Sequence, residues 1–335
     1  MTKTIWLLGI LFFLTVHPVC HAQQNSDTMK QTTNNPLLCD PETGLCELPG
    51  QSSQQEGQTL SPNQKPVRII YYTDPICSAC WGIEPQLRKL QLEYGVYFEI
   101  EYRMGGLLPD WSYNSGGISK PSDVAHHWEE VSQHYDMPID GGVWLEDPLH
   151  SSYPPSIAFK AVEMQAPEKT TAFMRLIREQ LFIEKKNIAR QEVINQVASE
   201  LQLDTAKLEQ AMEQEAKVLF QEDLAQARQL GVRGFPSLFV IGKDQEPQII
   251  YGVRPYKTFE EAILSAYPSA EKLPYDKSWQ GLFKAFSSLT TREFAELSEM
   301  PRAKAEELLQ QLAEEKRLEK TTIKNGSIWR LSEKN

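Results

Sequence analysis

Two cysteines separated by two residues, Cys77 and Cys80, open an amphipathic stretch that follows directly on an apolar run. No other part of the chain narrows the choice of fold as far. Val67, Ile69, Ile70, Tyr71 and Tyr72 are β-branched or aromatic and nearly continuous, as a strand buried on both faces requires. Thr73, Asp74 and Pro75 end that strand. Trp81, Ile83, Leu87, Leu90 and Tyr94 then recur at close to helical spacing, which predicts a helix with both cysteines on its first turn.

This placement has chemical consequences. The first N–H groups of a helix lack internal partners, and its dipole puts partial positive charge beside them. A thiolate at Cys77 is therefore expected to be favoured, and the thiolate is the nucleophile of disulfide exchange. Cys80, one turn on, is placed to attack a mixed disulfide on Cys77 and resolve it. The competing readings are half of a zinc site and two unrelated core cysteines. Zinc sites commonly use two short-spaced ligand pairs, and the chain has no second Cys-x-x-Cys or Cys/His cluster. Catalytic Cys77 and Cys80, working without a metal or an organic cofactor, are the expectation.

The segment Thr73-Asp74-Pro75-Ile76-Cys77-Ser78-Ala79-Cys80-Trp81-Gly82-Ile83-Glu84-Pro85 resembles the active-site segment of the DsbA-like thioredoxin-fold proteins, most closely the FrnE and protein-disulfide-isomerase branch. Met104-Gly105-Gly106-Leu107, His127-Trp128-Glu129-Glu130-Val131 and Gly231-Val232-Arg233-Gly234-Phe235-Pro236 agree in order and spacing, so the resemblance covers roughly Val67 to Tyr267. It departs at Ala79, where that branch usually carries an aromatic residue. The resemblance implies an α/β thioredoxin fold with an inserted helical subdomain, and a cis Pro236 lying against the cysteine pair. A proline has no N–H, so the backbone of Phe235 is left to pair with an extended substrate. Phe235, Pro236 and Trp81 are the expected substrate-binding residues.

Met1 to Ala22 has a basic start, an apolar run from Ile5 to Val16 and Cys20-His21-Ala22 as a small-residue cleavage site, the pattern of a signal peptide. An uncleaved membrane anchor and lipidation at Cys20 are the alternatives. Removal at Ala22 leaves Cys39, Cys46, Cys77 and Cys80, an even number that suits an oxidising compartment such as the periplasm. The formal net charge of −11 disfavours nucleic acid and anionic lipid as partners.

Residues 23–65 are polar and Pro-containing, as a flexible leader is. Within them, Cys39 and Cys46 flank a Pro41-Glu42-Thr43-Gly44 turn that brings them back toward each other. They are expected either to form a structural disulfide or to act as a second redox pair that reaches Cys77 and Cys80 on its tether. About 20 residues of flexible coil span roughly 25 Å, which is sufficient.

The thioredoxin-like domain is expected over 66–268. Tyr97 to Arg103 forms its second strand, parallel to the first across a right-handed crossover. The helical insertion occupies about 107–230, with a short helix around Asp123 to Tyr135 and a loop at Trp144 and Leu145. His126 and His127, adjacent on that helix, point about 100° apart and are read as packing or surface residues. A hairpin of Ser237 to Ile241 and Gln248 to Val253 completes a four-stranded mixed sheet, and Thr258 to Tyr267 closes the domain.

Residues 276–335 show three helical patterns and a hairpin, the order of a small winged-helix-like α+β domain. They hold 11 basic and 10 acidic residues, and the would-be groove helix carries Glu306, Glu307, Glu314 and Glu315. Carboxylates there oppose phosphate binding, so the module is expected to pack, to dimerise the chain or to dock a partner rather than bind DNA.

Together these features predict an exported thiol-disulfide oxidoreductase, an enzyme acting on protein thiols and disulfides with a further redox protein as electron partner. The dipeptide Ser78-Ala79 carries no base to lower the Cys77 pKa further, so a mild oxidant is expected. The alternative comes from a second resemblance. Asp74 to Trp81 and Glu93-Tyr94-Gly95-Val96-Tyr97-Phe98 are also similar to cytosolic DsbA-like adaptors that deliver a transcription regulator to an ATP-dependent protease.

Overall fold

The computed structural model describes residues 39–40, 45–47, 65–112 and 119–332. The signal-like segment at 1–22, the turn at 41–44 and most of the 23–65 leader lie outside the described residues. In chain order, β1 (Cys39–Asp40) and β2 (Leu45–Glu47) precede β3 (Val67–Thr73), α1 (Ser78–Gly82), α2 (Glu84–Tyr94) and β4 (Phe98–Met104). Seven helices follow: α3 (Pro121–Tyr135), α4 (Val143–Glu146), α5 (Tyr153–Gln165), α6 (Thr170–Phe182), α7 (Gln191–Glu200), α8 (Thr205–Glu213) and α9 (Glu215–Gln229). Then come β5 (Gly234–Phe235), β6 (Ser237–Gly242), β7 (Gln248–Tyr251) and α10 (Tyr256–Ala266). The chain ends with α11 (Trp279–Ala285), β8 (Ser288–Thr290), α12 (Thr291–Ser298), α13 (Arg302–Glu314), β9 (Leu318–Ile323) and β10 (Gly326–Leu331).

The main sheet has the order β4-β3-β6-β7, with β3 and β4 parallel from Val67↔Phe98 to Thr73↔Met104 and β6 antiparallel to β3. Every residue of β3 except Arg68 is buried, which is why its sequence is apolar without alternation. The fold is thus the expected α/β mixed sheet with a helical insertion and a C-terminal α+β module.

The helix carrying the cysteines is not the single rod that its spacing predicted. It breaks at Ile83 into α1 and α2. Pro85 has no N–H to give the carbonyl four residues back, so the hydrogen-bond ladder is interrupted here and α2 starts afresh with Pro85 in its first turn. Gly82 allows the break to sit against the α3 tyrosine, since a Cβ there would lie 2.9 Å from the Tyr135 ring. A smaller correction falls at Trp144 and Leu145, which form the one-turn α4 instead of a loop.

One apolar core runs through the sheet and the helical insertion, and a second fills the C-terminal module with Leu282, Phe283, Phe294, Leu309, Leu312 and Trp329. The two are joined by buried ions. Thr290 caps α12 by accepting from the Glu293 N–H, and Glu293 Oε2 accepts from the Thr290 N–H at 2.7 Å. The same carboxylate receives a forked pair of bonds from Arg175 of α6, at 2.7 and 3.1 Å. Arg175 also pairs with Glu179, which in turn meets Arg330 of β10 at 2.6 Å. Arg88 of α2 reaches the Ser288 carbonyl at 2.7 Å. A helix cap in one module therefore doubles as an ion-pair partner for another. Among the described residues no helix is long and apolar enough to cross a membrane.

Removing one partner from a buried ion pair leaves the other charge without compensation, at a cost of about 3–5 kcal/mol. Arg175→Ala is expected to lower stability by about that amount in urea unfolding. Lys304→Ala, which removes an exposed pair with Glu307, should leave the midpoint unchanged.

Candidate functional site

Asp74 organises the turn between β3 and α1. Its carboxylate accepts from the N–H groups of Ile76 at 3.0 Å and Leu107 at 2.7 Å, and from the Ser152 hydroxyl at 2.9 Å. Its carbonyl accepts from the Cys77 N–H at 3.1 Å. These bonds place Cys77 as the N-cap of α1, where its sulfur accepts from the Cys80 N–H at 3.1 Å. The expected geometry of a thiol at a helix start is present, in a helix of only five residues.

Both thiols are completely buried. Burial is the largest influence on each and opposes ionisation. At Cys80 it is outweighed by the hydrogen bond with Cys77, the Arg178 charge and the Thr73 hydroxyl, which hold this thiol below its ordinary value. At Cys77 burial prevails and its thiol is pushed up. Burial thus opposes the Cys77 thiolate, while the Cys80 N–H and the Arg178 charge favour it.

The remaining expected site residues stand as follows. Phe235 and Pro236 are joined by a cis peptide bond at the start of β6. The Phe235 ring lies over Gly105, where a Cβ would come within 1.7 Å of it, so only glycine fits. The backbone of Phe235 is already paired: β5 is bonded to β2, with Cys46↔Phe235 and Glu47↔Gly234 in register. On its other side β2 pairs with β1, setting Cys39 opposite Cys46. Trp81 is a correction. It has no exposed surface, stacks on Phe182 at 5.5 Å, lies under the Arg175 guanidinium and donates to the Pro138 carbonyl at 3.1 Å. An indole held on both faces and at its N–H fixes α1 to the insertion and offers nothing to a substrate.

Sequence reading missed Arg178. It is fully buried on α6 and donates to Thr73 Oγ1 at 2.6 Å, to the Asp74 carbonyl at 3.2 Å and to Glu84 at 2.8 Å. The available signal was two arginines, Arg175 and Arg178, set among Phe173, Met174, Ile177 and Leu181. His126 is exposed beside Glu130, whereas His127 is buried and burial pushes its pKa down to about 4. Among the described residues no group of three or more His, Cys, Asp or Glu is placed to hold a metal ion.

Comparison with known proteins agrees with this architecture. A family model described as Thioredoxin matches residues 71–261. The ClpXP adapter protein SpxH of Halalkalibacterium halodurans is 31% identical over 306 residues, covering 89% of this chain and 98% of that protein. The Bacillus subtilis protein of the same name is 27% identical, covering 80% and 90%. A solved structure from Nitrosomonas europaea, described as a candidate protein disulfide isomerase, superposes with a TM-score of 0.51 at 22% identity. It covers 61% of this chain and 97% of its own. At that identity the likeness concerns the fold.

Burial raises the Asp74 pKa from its ordinary 3.8 to about 6, against the hydrogen bonds from Leu107, Ile76 and Ser152 and the Arg178 charge. The folded chain therefore binds this proton more tightly than the unfolded chain, and stability falls as pH rises across that window. At about 1.4 kcal/mol per unit, the difference in unfolding free energy between the wild type and Asp74→Asn should drop by about 2 kcal/mol between pH 4 and pH 6.5. Urea titrations of both proteins at the two pH values measure it.

Proposed function

Because the chain belongs to the thioredoxin family, we propose that it uses this fold as a protein-docking body, and that it is an adaptor delivering a protein client to the ClpXP protease. The observation that carries this reading is the extent of the likeness to the adapter proteins. The family model stops at residue 261, but a match over 89% of the chain cannot omit the 276–335 module. An adaptor must hold a client and a protease at once. A module fixed to the thioredoxin body through Glu293, Arg175 and Arg330 suits that need, because it sets the spacing of two binding surfaces. The completely buried thiols fit a docking role better than rapid turnover.

The FrnE and isomerase branch suggested by the cysteine segment takes second place, since the relatives carry the adapter name. A redox reading is still supported by one feature, the cysteine pair capping α1 in a family of thiol-disulfide proteins. The two readings need different compartments. ClpXP delivery requires a cytosolic chain, whereas cleavage after Ala22 would place the protein outside the cytosol and favour the oxidoreductase.

Two measurements test the proposal. Mass spectrometry of the native protein should find residues 1–22 retained. Added at stoichiometric amounts to ClpXP, ATP and a cytosolic extract lacking it, the protein should shorten the half-life of at least one client several-fold. The Cys77→Ser, Cys80→Ser double variant should do the same. A mature N-terminus at Gln23, or turnover of insulin disulfides with no effect on any half-life, would overturn it.

A further inference from the structure

We infer that Cys39 and Cys46 form a second redox centre that exchanges its disulfide with Cys77 and Cys80 inside one chain, the β2 strand occupying the edge beside Pro236 that an extended protein substrate would otherwise take. This goes beyond the adaptor reading and does not rest on it.

Backbone register carries the inference. Directly opposed residues of an antiparallel ladder have Cα atoms about 4.5–5.5 Å apart, inside the range that a disulfide spans. Cys39 and Cys46 are such a pair. β2 is the middle strand of the order β1-β2-β5, so Cys46 is matched with Cys39 on one side and with Phe235 on the other. Cα atoms of β2 also lie within 8 Å of Cα atoms of α1, the helix that Cys77 caps. One three-residue strand thus brings a cysteine pair to both elements that frame the thiols. A structural disulfide in a polar leader has no need of this position.

The exchange balances with the chain's own sulfurs. Starting from a Cys39–Cys46 disulfide and the reduced Cys77 and Cys80, Cys77 gives up its proton and attacks the Cys46 sulfur; the Cys39–Cys46 bond breaks, and Cys39 leaves as a thiolate that takes up a proton. Cys80 then gives up its proton and attacks the Cys77 sulfur, forming the Cys77–Cys80 disulfide and releasing Cys46. Two electrons and two protons pass to Cys39 and Cys46, and the reverse sequence restores the start. No outside oxidant is consumed.

Full-length protein tests this. In a Cys39→Ser, Cys80→Ser variant neither partner thiol is present to resolve the intermediate, so mild oxidation should accumulate a Cys46–Cys77 crosslink, identified by non-reducing peptide mapping. The yield should exceed tenfold that of the same variant unfolded in guanidinium. In the wild type, stepwise titration with dithiothreitol should show both pairs changing state together. Glu47→Pro leaves all four cysteines in place but removes an N–H from the strand that pairs with β5. It should slow equilibration between the pairs at least tenfold. The inference is overturned if the Cys39–Cys46 disulfide persists unchanged while Cys77 and Cys80 cycle, if the crosslink yield matches the unfolded control, or if Glu47→Pro equilibrates at the wild-type rate.

Discussion

A guanidinium with no access to solvent holds the cysteine turn together. Arginine cannot shed its charge within a protein, so burying Arg178 is tolerable only with several fixed acceptors around its planar fork. Thr73 at the end of β3, the Asp74 carbonyl and Glu84 at the start of α2 supply them. Those three groups mark the strand end, the turn and the helix restart. The cation thus fixes the bend that brings Cys77 and Cys80 to the head of α1, and its charge favours the thiolate of Cys80.

One turn earlier on the same helix, Arg175 covers Trp81 and grips Glu293. Adjacent turns of α6 therefore face the thiol turn and the C-terminal module in succession. Segments more than a hundred residues apart in sequence are held in fixed relation by a helix that the thioredoxin core itself does not require. A protein whose task is to present two surfaces in register gains more from such a brace than an enzyme that needs only its thiols.

Much of this was legible in the residues. The apolar run of β3 and the Cys-x-x-Cys spacing were enough to place the sheet centre and the cysteine helix. Features set by distant contacts were hidden. The break at Ile83 had a local cause in Pro85, but the helical spacing of Ile83, Leu87 and Leu90 ran across it and masked the interruption. Trp81 looked available to a substrate because an aromatic residue beside reactive cysteines suggests a surface, and only the positions of Phe182, Arg175 and Pro138 show otherwise. The partners of Arg178 span 94 to 105 residues of sequence, beyond any spacing rule. That same remote charge favours the thiolate form of both Cys77 and Cys80.

The pairing of β2 with β5 also affects how any outside ligand would be bound. A strand of the same chain competes as an intramolecular partner, at an effective concentration that a free peptide has to exceed. A free peptide seeking the Phe235 backbone must displace it, and its apparent affinity is reduced accordingly. A chain beginning at β3 would lack this internal competitor, and its Phe235 backbone would be open to any extended segment.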